Sequence, residues 1–163
     1  MTLIKIGKIV NTHGIKGELR LLSKFPYKDK VFINNMTIYI DKKDKEIINT
    51  YRKHKNFDMI TLKDYNNINE VLKYKGKNVY VNDSDIKLDN NKYLDEELIG
   101  LNVIYEDNNK GTIVDIERYD KTVLFNIKNN DKEYLIPYND NIIVKIDINN
   151  KRIYIKDIKG LFD

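Results

Sequence analysis

The chain contains no cysteine. This absence excludes disulfide bonds, thiolate metal sites and cysteine nucleophiles, and it is typical of a reducing compartment. No hydrophobic run approaches the roughly 20 residues that a transmembrane helix requires. The first residues alternate between apolar and polar and do not form the apolar core of a signal peptide. We therefore expect a soluble, cytoplasmic protein that does not engage a membrane.

Histidine is also scarce, and no catalytic constellation is present. His13 and His54 are the only histidines, so few ligands remain for a zinc site in a chain without cysteine. Residues 14–17 lack the Gly-x-x-x-x-Gly-Lys-Ser/Thr pattern of a phosphate-binding loop, and we predict that a strand follows them instead of a helix. The carboxylates are scattered through turns. We therefore predict no catalytic residue, no metal site and no cofactor, and we expect that the protein is not an enzyme.

The charge is divided unevenly along the 163 residues, although the net charge is only +4. Residues 1–88 contain 18 Lys and Arg against 10 Asp and Glu, so they carry +8. Residues 89–163 contain 11 against 15, so they carry −4. A basic surface suits a phosphate backbone, and an acidic surface suits a basic protein. A chance imbalance on a polar surface is an equally good explanation.

Alternating apolar residues predict a mainly β protein made of two small barrels. In the first half, a helix is predicted over residues 66–74, where Ile68, Val71 and Leu72 have helical spacing before the stop at Gly76. The six strands predicted in the first half are 3–10, 18–25, 36–40, 46–52, 59–63 and 78–81.

The second half is predicted to consist of short strands joined by hairpin turns. Val114 and Ile116 alternate with polar residues, as do several later apolar residues. Asn-Asn pairs at 108–109, 129–130 and 149–150 separate these runs, and Asn tolerates the left-handed backbone that tight turns require. Residues 83–96 are acidic and aperiodic, so we place a linker there, between a domain at 1–82 and a domain at 97–163.

Residues 7–18 read Gly-Lys-Ile-Val-Asn-Thr-His-Gly-Ile-Lys-Gly-Glu and hold three of the seven glycines, Gly7, Gly14 and Gly17. Glycine between two alternating runs permits positive φ or a close backbone approach, so this segment predicts a strand, a shaped loop and a second strand. His13 would contact RNA or protein at the loop, or hydrogen-bond the backbone and hold the loop. We favour the second role, which makes His13 a structural residue.

Lys16, Arg20 and Lys24 are candidates for RNA contact. In a strand over 18–25, Arg20 and Lys24 are an even number of residues apart and share a face opposite Leu19 and Leu21. Such a face could follow a phosphate backbone. An ordinary polar barrel exterior is the alternative and is slightly favoured.

The segment 7–18 resembles the N-terminal signature of the bacterial RimM family of ribosome maturation factors, with Asn11 at a position that is often Gly or Ala. Four segments of the second half resemble the PRC-barrel domain of the same family: residues 97–103, 110–116, 133–137 and 160–163. The resemblance implies an N-terminal barrel of the translation-factor type and a C-terminal PRC barrel, which is SH3-like.

This resemblance also implies a function. Members of the family assist assembly of the head of the 30S subunit and processing of 16S rRNA. They bind ribosomal protein S-nineteen and nearby rRNA of the immature subunit as non-catalytic chaperones.

The resemblance also implies site residues. In the family an aromatic pair, usually Tyr-Tyr, is needed for ribosome association, and the aligned residues here are Tyr93 and Leu94. Packing of the linker is the alternative role of this segment. We expect a monomer when the protein is free. The alternative function is that of a general RNA-binding or adaptor protein built from two SH3-like barrels.

Overall fold

Twelve β-strands and two short α-helices form the regular structure of residues 1–163, all of which the computed structural model describes. The strands divide equally between two units, Met1–Asn90 and Asn91–Asp163. The predicted fold class, mainly β with two small β units, is confirmed. No helix has the length and apolar character needed to cross a membrane.

The first unit is a closed antiparallel barrel with the strand order β1-β2-β5-β4-β3-β6. Alternation along the strands turns one face of each strand inward, where fully buried residues such as Ile9, Leu21 and Ile60 form the core. Its elements are β1 (Leu3–His13), β2 (Glu18–Leu22), β3 (Thr37–Ile40), β4 (Asp44–His54), β5 (Phe57–Leu62), α1 (Ile68–Val71) and β6 (Asn78–Asn82).

The helix predicted over residues 66–74 forms as α1 followed by a 3-10 turn at Leu72–Tyr74. Asn67 caps its start, because the Asn67 Oδ1 accepts a hydrogen bond from the backbone N–H of Asn69 at 2.8 Å. All six predicted strands of this unit are present, although their ends differ by a few residues.

The strand predicted over residues 18–25 is wrong at its end, because β2 stops at Leu22. The Ser23 hydroxyl donates to the carbonyl of Ile6 and accepts from the N–H of Phe25, so a side chain replaces the strand ladder there. Pro26 then supplies no N–H. Lys24 therefore lies beyond the strand, and the shared face that we predicted for Arg20 and Lys24 does not form.

The second unit is a six-stranded sheet with the order β10-β9-β8-β7-β12-β11, in which only β12 and β7 are parallel. Its core contains Phe125, Ile113, Ile127 and Ile153, all fully buried. Its elements are α2 (Asp95–Leu98), β7 (Asn102–Tyr105), β8 (Asn108–Arg118), β9 (Val123–Asn129), β10 (Lys132–Pro137), β11 (Ile143–Asp147) and β12 (Arg152–Ile155).

The turns of this unit agree with two of the three Asn-Asn predictions. Asn130 lies in the β9–β10 turn with φ of 52°, and residues 149–150 lie in the turn between β11 and β12. The turn predicted at 108–109 is wrong, because both asparagines belong to β8. Glu106 and Asp107 make this turn instead, with φ values of 49° and 63°. Asp, like Asn, tolerates left-handed backbone geometry.

Residues 83–96, which we predicted as an acidic linker, are not extended throughout. They begin with a 3-10 turn at Asp83–Asp85, in which the Asn82 Oδ1 accepts from the N–H of Ser84 at 3.2 Å. They also include the first residues of α2.

Candidate functional site

The loop between β1 and β2 has a defined shape that rests on the start of α1. Gly14 and Gly17 have φ values of 76° and 89°. A Cβ at Gly17 would lie 3.2 Å from the carbonyl oxygen of Asn67, and the Ile15 carbonyl accepts from the N–H of Ile68 at 2.9 Å. Contact with the helix start therefore fixes the loop, and the predicted strand, shaped loop and strand are present.

Gly7 lies within β1 and not in this loop. A Cβ there would lie 3.0 Å from the carbonyl oxygen of Leu22, at a point where the pairing of β1 with β6 shifts register between Lys5 and Gly7. Gly7 therefore admits the chain that leaves β2 from within a strand, and not in the loop where we predicted it.

His13 is the last residue of β1, and its ring binds the guanidinium of Arg20 on the neighbouring strand β2. Arg20 Nη2 lies 2.9 Å from His13 Nδ1. Because a guanidinium can only donate, Nδ1 is the acceptor, and the proton of a neutral His13 is on Nε2. The partner is a side chain and not the backbone group that we predicted. Arg20 also lies over the ring of Phe57, with 4.9 Å from Cζ to the ring centroid.

His54 brings the β4–β5 hairpin to the same cluster. The ring centroids of His13 and His54 are 5.9 Å apart. Loss of hydration, and then the positive charges of Arg52 and Lys55, lower the pKa of His54. Arg52 makes two hydrogen bonds to the Glu18 carboxylate at 2.7 and 2.8 Å, and this contact lowers the pKa of Glu18. The cluster is cationic, and its one carboxylate is already paired.

The three RNA-contact candidates differ in what they can reach. Lys16 and Lys24 are exposed, and Lys16 occupies the loop between Gly14 and Gly17. Arg20 is half-buried, it is held by His13 and Phe57, and its Nε is buried without a hydrogen-bond partner. Arg20 therefore holds His13 and Phe57 together, and Lys16 and Lys24 are the candidates whose charge is exposed to a ligand.

Ile15 is a feature of this loop that the sequence reasoning missed. Its side chain is 80% exposed, although the loop backbone is held on α1. The signal was available in the sequence, because an apolar residue between two loop glycines has no neighbouring strand to turn it inward.

Tyr93 and Leu94, the residues aligned with the aromatic pair of the family, both pack against the protein. Tyr93 is half-buried and packs against the core of the second unit. Leu94 is only 8% exposed, and its N–H donates to Glu97 Oε1 at 2.9 Å at the start of α2. For Leu94, the packing that we gave as the alternative role of this segment is therefore what the structure shows.

No group of three or more His, Asp or Glu side chains is placed to hold a metal ion. The polar clusters of the first barrel are instead paired internally, as with Glu46, which accepts from the hydroxyls of Tyr65 and Tyr74. The arrangement offers charged and apolar surface for binding.

Comparison with known proteins identifies both units. The model of the RimM N-terminal domain matches residues 4–86, and the model of the RimM PRC barrel domain matches residues 95–161. Three relatives named ribosome maturation factor RimM are similar over nearly their full length. That of Shouchella clausii is 34% identical over 97% of this chain and 96% of its own. Those of Staphylococcus haemolyticus and Bacillus mycoides are both 36% identical, over 98% and 96% of this chain and 99% and 96% of their own.

A crystal structure of a 16S ribosomal RNA processing protein RimM from Pseudomonas aeruginosa covers 98% of this chain and 99% of its own, with 23% identity and a TM-score of 0.46. The sequence comparisons alone decide the family, because two family models match in order and relatives above 30% identity span nearly the whole chain. The chain therefore belongs to the RimM family of ribosome maturation factors.

Proposed function

We propose that this protein assists assembly of the 30S subunit head and processing of 16S rRNA in the cytoplasm, as a non-catalytic assembly chaperone. The observation that carries the proposal is the match of both family domains, in order, across nearly the whole chain. A chaperone of this kind acts by binding the immature arrangement of protein and RNA more tightly than the mature one. We expect it to be monomeric when it is free of the subunit.

Loss of the protein tests this proposal in cells. We expect precursor 16S rRNA and immature small subunits to accumulate when the gene is deleted, and the wild-type chain to restore maturation. Normal 16S maturation in the deleted strain would contradict the proposal. Restoration by either unit alone would contradict our expectation that both units contact the immature subunit.

Ribosomal protein S-nineteen is the protein partner that we propose for the second unit. The excess of negative charge in residues 89–163 supports this choice, because ribosomal proteins that sit on rRNA are basic. Tyr93 is the member of the Tyr93-Leu94 pair that keeps exposed surface. We expect Tyr93→Ala to weaken binding of S-nineteen without unfolding the unit. Leu94→Ala should act through stability, because Leu94 is buried.

The RNA contact that we propose lies on the first unit, at Lys16 and Lys24. Both side chains are exposed, and residues 1–88 carry +8. A plot of log affinity against log salt concentration has a negative slope, and each phosphate contact that is lost reduces the magnitude of this slope by roughly 0.7–0.9. We therefore expect Lys16→Glu and Lys24→Glu each to weaken subunit binding and to flatten its salt dependence.

Lys43→Glu in the β3–β4 turn is the matched control, because it makes the same change of charge at another exposed lysine. Equal effects of all three substitutions would mean that only net charge matters. Equal binding of the wild type to unrelated RNAs of similar length would favour a general RNA-binding protein instead.

A further inference from the structure

The outer face of β8, β9 and β10 exposes apolar side chains in the middle of a regular sheet. The pairing of β8 with β9 shifts register between Ile113 and Asp115, which marks a β-bulge at Val114. The bulge turns two consecutive residues, Val114 and Asp115, to the solvent face, whereas Ile113 and Ile116 stay buried. Val114 is 41% exposed as a result.

Leu135 lies on the same face, two strands away. It is 53% exposed and pairs with Asn126 of β9, which in turn pairs with Asp115 of β8. Two strand spacings separate β8 from β10, so Val114 and Leu135 are about 10 Å apart across the sheet. Because β10 is an end strand, no further strand of the sheet lies beside Leu135 on the other side.

Asn126 lies between these two apolar residues and has an unmet hydrogen-bonding capacity. Its Nδ2 donates to Glu117 Oε2 at 3.4 Å, whereas its Oδ1 is buried and has no donor. A buried acceptor without a donor raises the free energy of the fold. Because this oxygen is buried, Asn126 is not counted among the groups that a partner can reach.

The charges on this face are mainly negative. Alternation along the three strands places Asp115, Glu117 and Glu133 on the face, against the single cation Lys128. An apolar centre with acidic neighbours is complementary to a surface that carries an aliphatic contact and Lys or Arg donors.

We propose that the outer face of β8, β9 and β10 is the docking surface for a basic protein, with Val114 and Leu135 as the apolar contact and the exposed carboxylates of Asp115 and Glu133 as the acceptors for Lys or Arg side chains. This assignment rests on the proposed function, since ribosomal protein S-nineteen is the basic partner assumed there. It adds the exposed sheet face to the contact proposed above at Tyr93, and it assigns no contact to Leu94, which is buried.

Titration of the full chain with purified ribosomal protein S-nineteen tests the surface. We expect Leu135→Ser and Val114→Ser each to raise the Kd by about tenfold, the effect of losing one central apolar contact. Val144→Ser is the matched control. Val144 lies on β11 at the other end of the sheet and is 62% exposed, more than either test residue, so its replacement should change the Kd by less than about twofold.

The outcomes separate this inference from the proposed function. If the wild type binds S-nineteen and Leu135→Ser binds equally well, the docking surface is wrong and the proposed function stands. If Val144→Ser weakens binding as much as Leu135→Ser, the contact is not specific to this face, and the surface is again wrong. If the wild type does not bind S-nineteen at all, the proposed partner fails, and the surface assignment fails with it. Unchanged melting temperatures of the variants confirm that they are folded.

Discussion

The ammonium of Lys28 lies 2.8 Å from the carboxylate of Asp58, and the Asp58 side chain is completely buried. Asp58 also accepts from the Tyr51 hydroxyl at 2.6 Å. It is the single charged residue in the buried core. The pair ties the 3-10 turn Lys28–Lys30, which follows β2, to the barrel strand β5. A buried carboxylate is tolerated only with such partners.

Removal of Lys28 should therefore destabilise the first unit. We expect Lys28→Ala to lower its free energy of unfolding by about 2 kcal/mol, less than for a fully buried pair because Lys28 is partly exposed. Hydrogen exchange of the β5 amides measures this unit separately from the other. Lys30→Ala is the control, because Lys30 pairs at 3.3 Å with the exposed Asp89, and it should cost less than about 1 kcal/mol. Equal costs would contradict the role of Asp58.

Alkaline pH should destabilise the same unit. Burial, and then the hydrogen bond to Asp58, raise the pKa of Tyr51 to about 12, and burial with the bond to Glu46 raises the pKa of Tyr74 as well. The unfolded chain loses these protons near pH 10, so their contribution to stability is present below pH 10 and is lost as the pH rises towards 12. Melting temperatures between pH 9 and pH 12 should fall less steeply for Tyr51→Phe than for the wild type. Parallel curves would contradict this assignment.

Gly111 should be the least replaceable glycine of the second unit. A Cβ there would lie 2.5 Å from the backbone oxygen of Lys128, in the β8–β9 pair. We expect Gly111→Ala to destabilise this unit by about 3 kcal/mol or more, through backbone strain and the clash together. Gly100→Ala is the control, because Gly100 also has positive φ but has open space around it, and it should cost about 1 kcal/mol. Hydrogen exchange of the β8 amides at increasing denaturant concentration measures the destabilisation that each substitution causes.

His54 should titrate below its usual range. Its pKa is lowered first by loss of hydration and then by the positive charges of Arg52 and Lys55. A lowered histidine pKa means that the unfolded chain takes up the proton first, so stability from this group is present above pH 6.5 and is lost as the pH falls. NMR titration of His54 should give a midpoint below 6.5, and Lys55→Gln should raise it. Lys43→Gln should leave it unchanged. A midpoint above 6.5 would contradict the cationic cluster.

The sequence was sufficient for the elements that depend on local pattern. The alternation through β1, the helical spacing of Ile68, Val71 and Leu72, and the glycine-shaped loop all describe neighbouring residues, and all are present in the structure. Local pattern was insufficient where a bond from elsewhere in the chain decides the outcome. The Ser23 hydroxyl ends β2 through a carbonyl seventeen residues earlier, a contact that no local rule contains.

The bulge at Val114 shows the same limit within one strand. Alternation assigned Val114 and Ile116 to one face, whereas the structure exposes the first and buries the second. One extra residue opposite Asn126 reverses the pattern, and only the pairing register shows it. The contact of Arg20 with His13 likewise follows from the register of β1 against β2. The exposed apolar face at Val114 and the cationic cluster could therefore not be predicted from the sequence.

Co-sedimentation of the purified chain with immature and mature small subunits, at two salt concentrations, tests the central claim most directly. We predict that the chain sediments with the immature subunit in preference to the mature one, and that higher salt weakens this binding because phosphate contacts contribute to it. Equal binding to both subunits, or binding to neither, would contradict the account of this protein as a maturation factor of the small subunit.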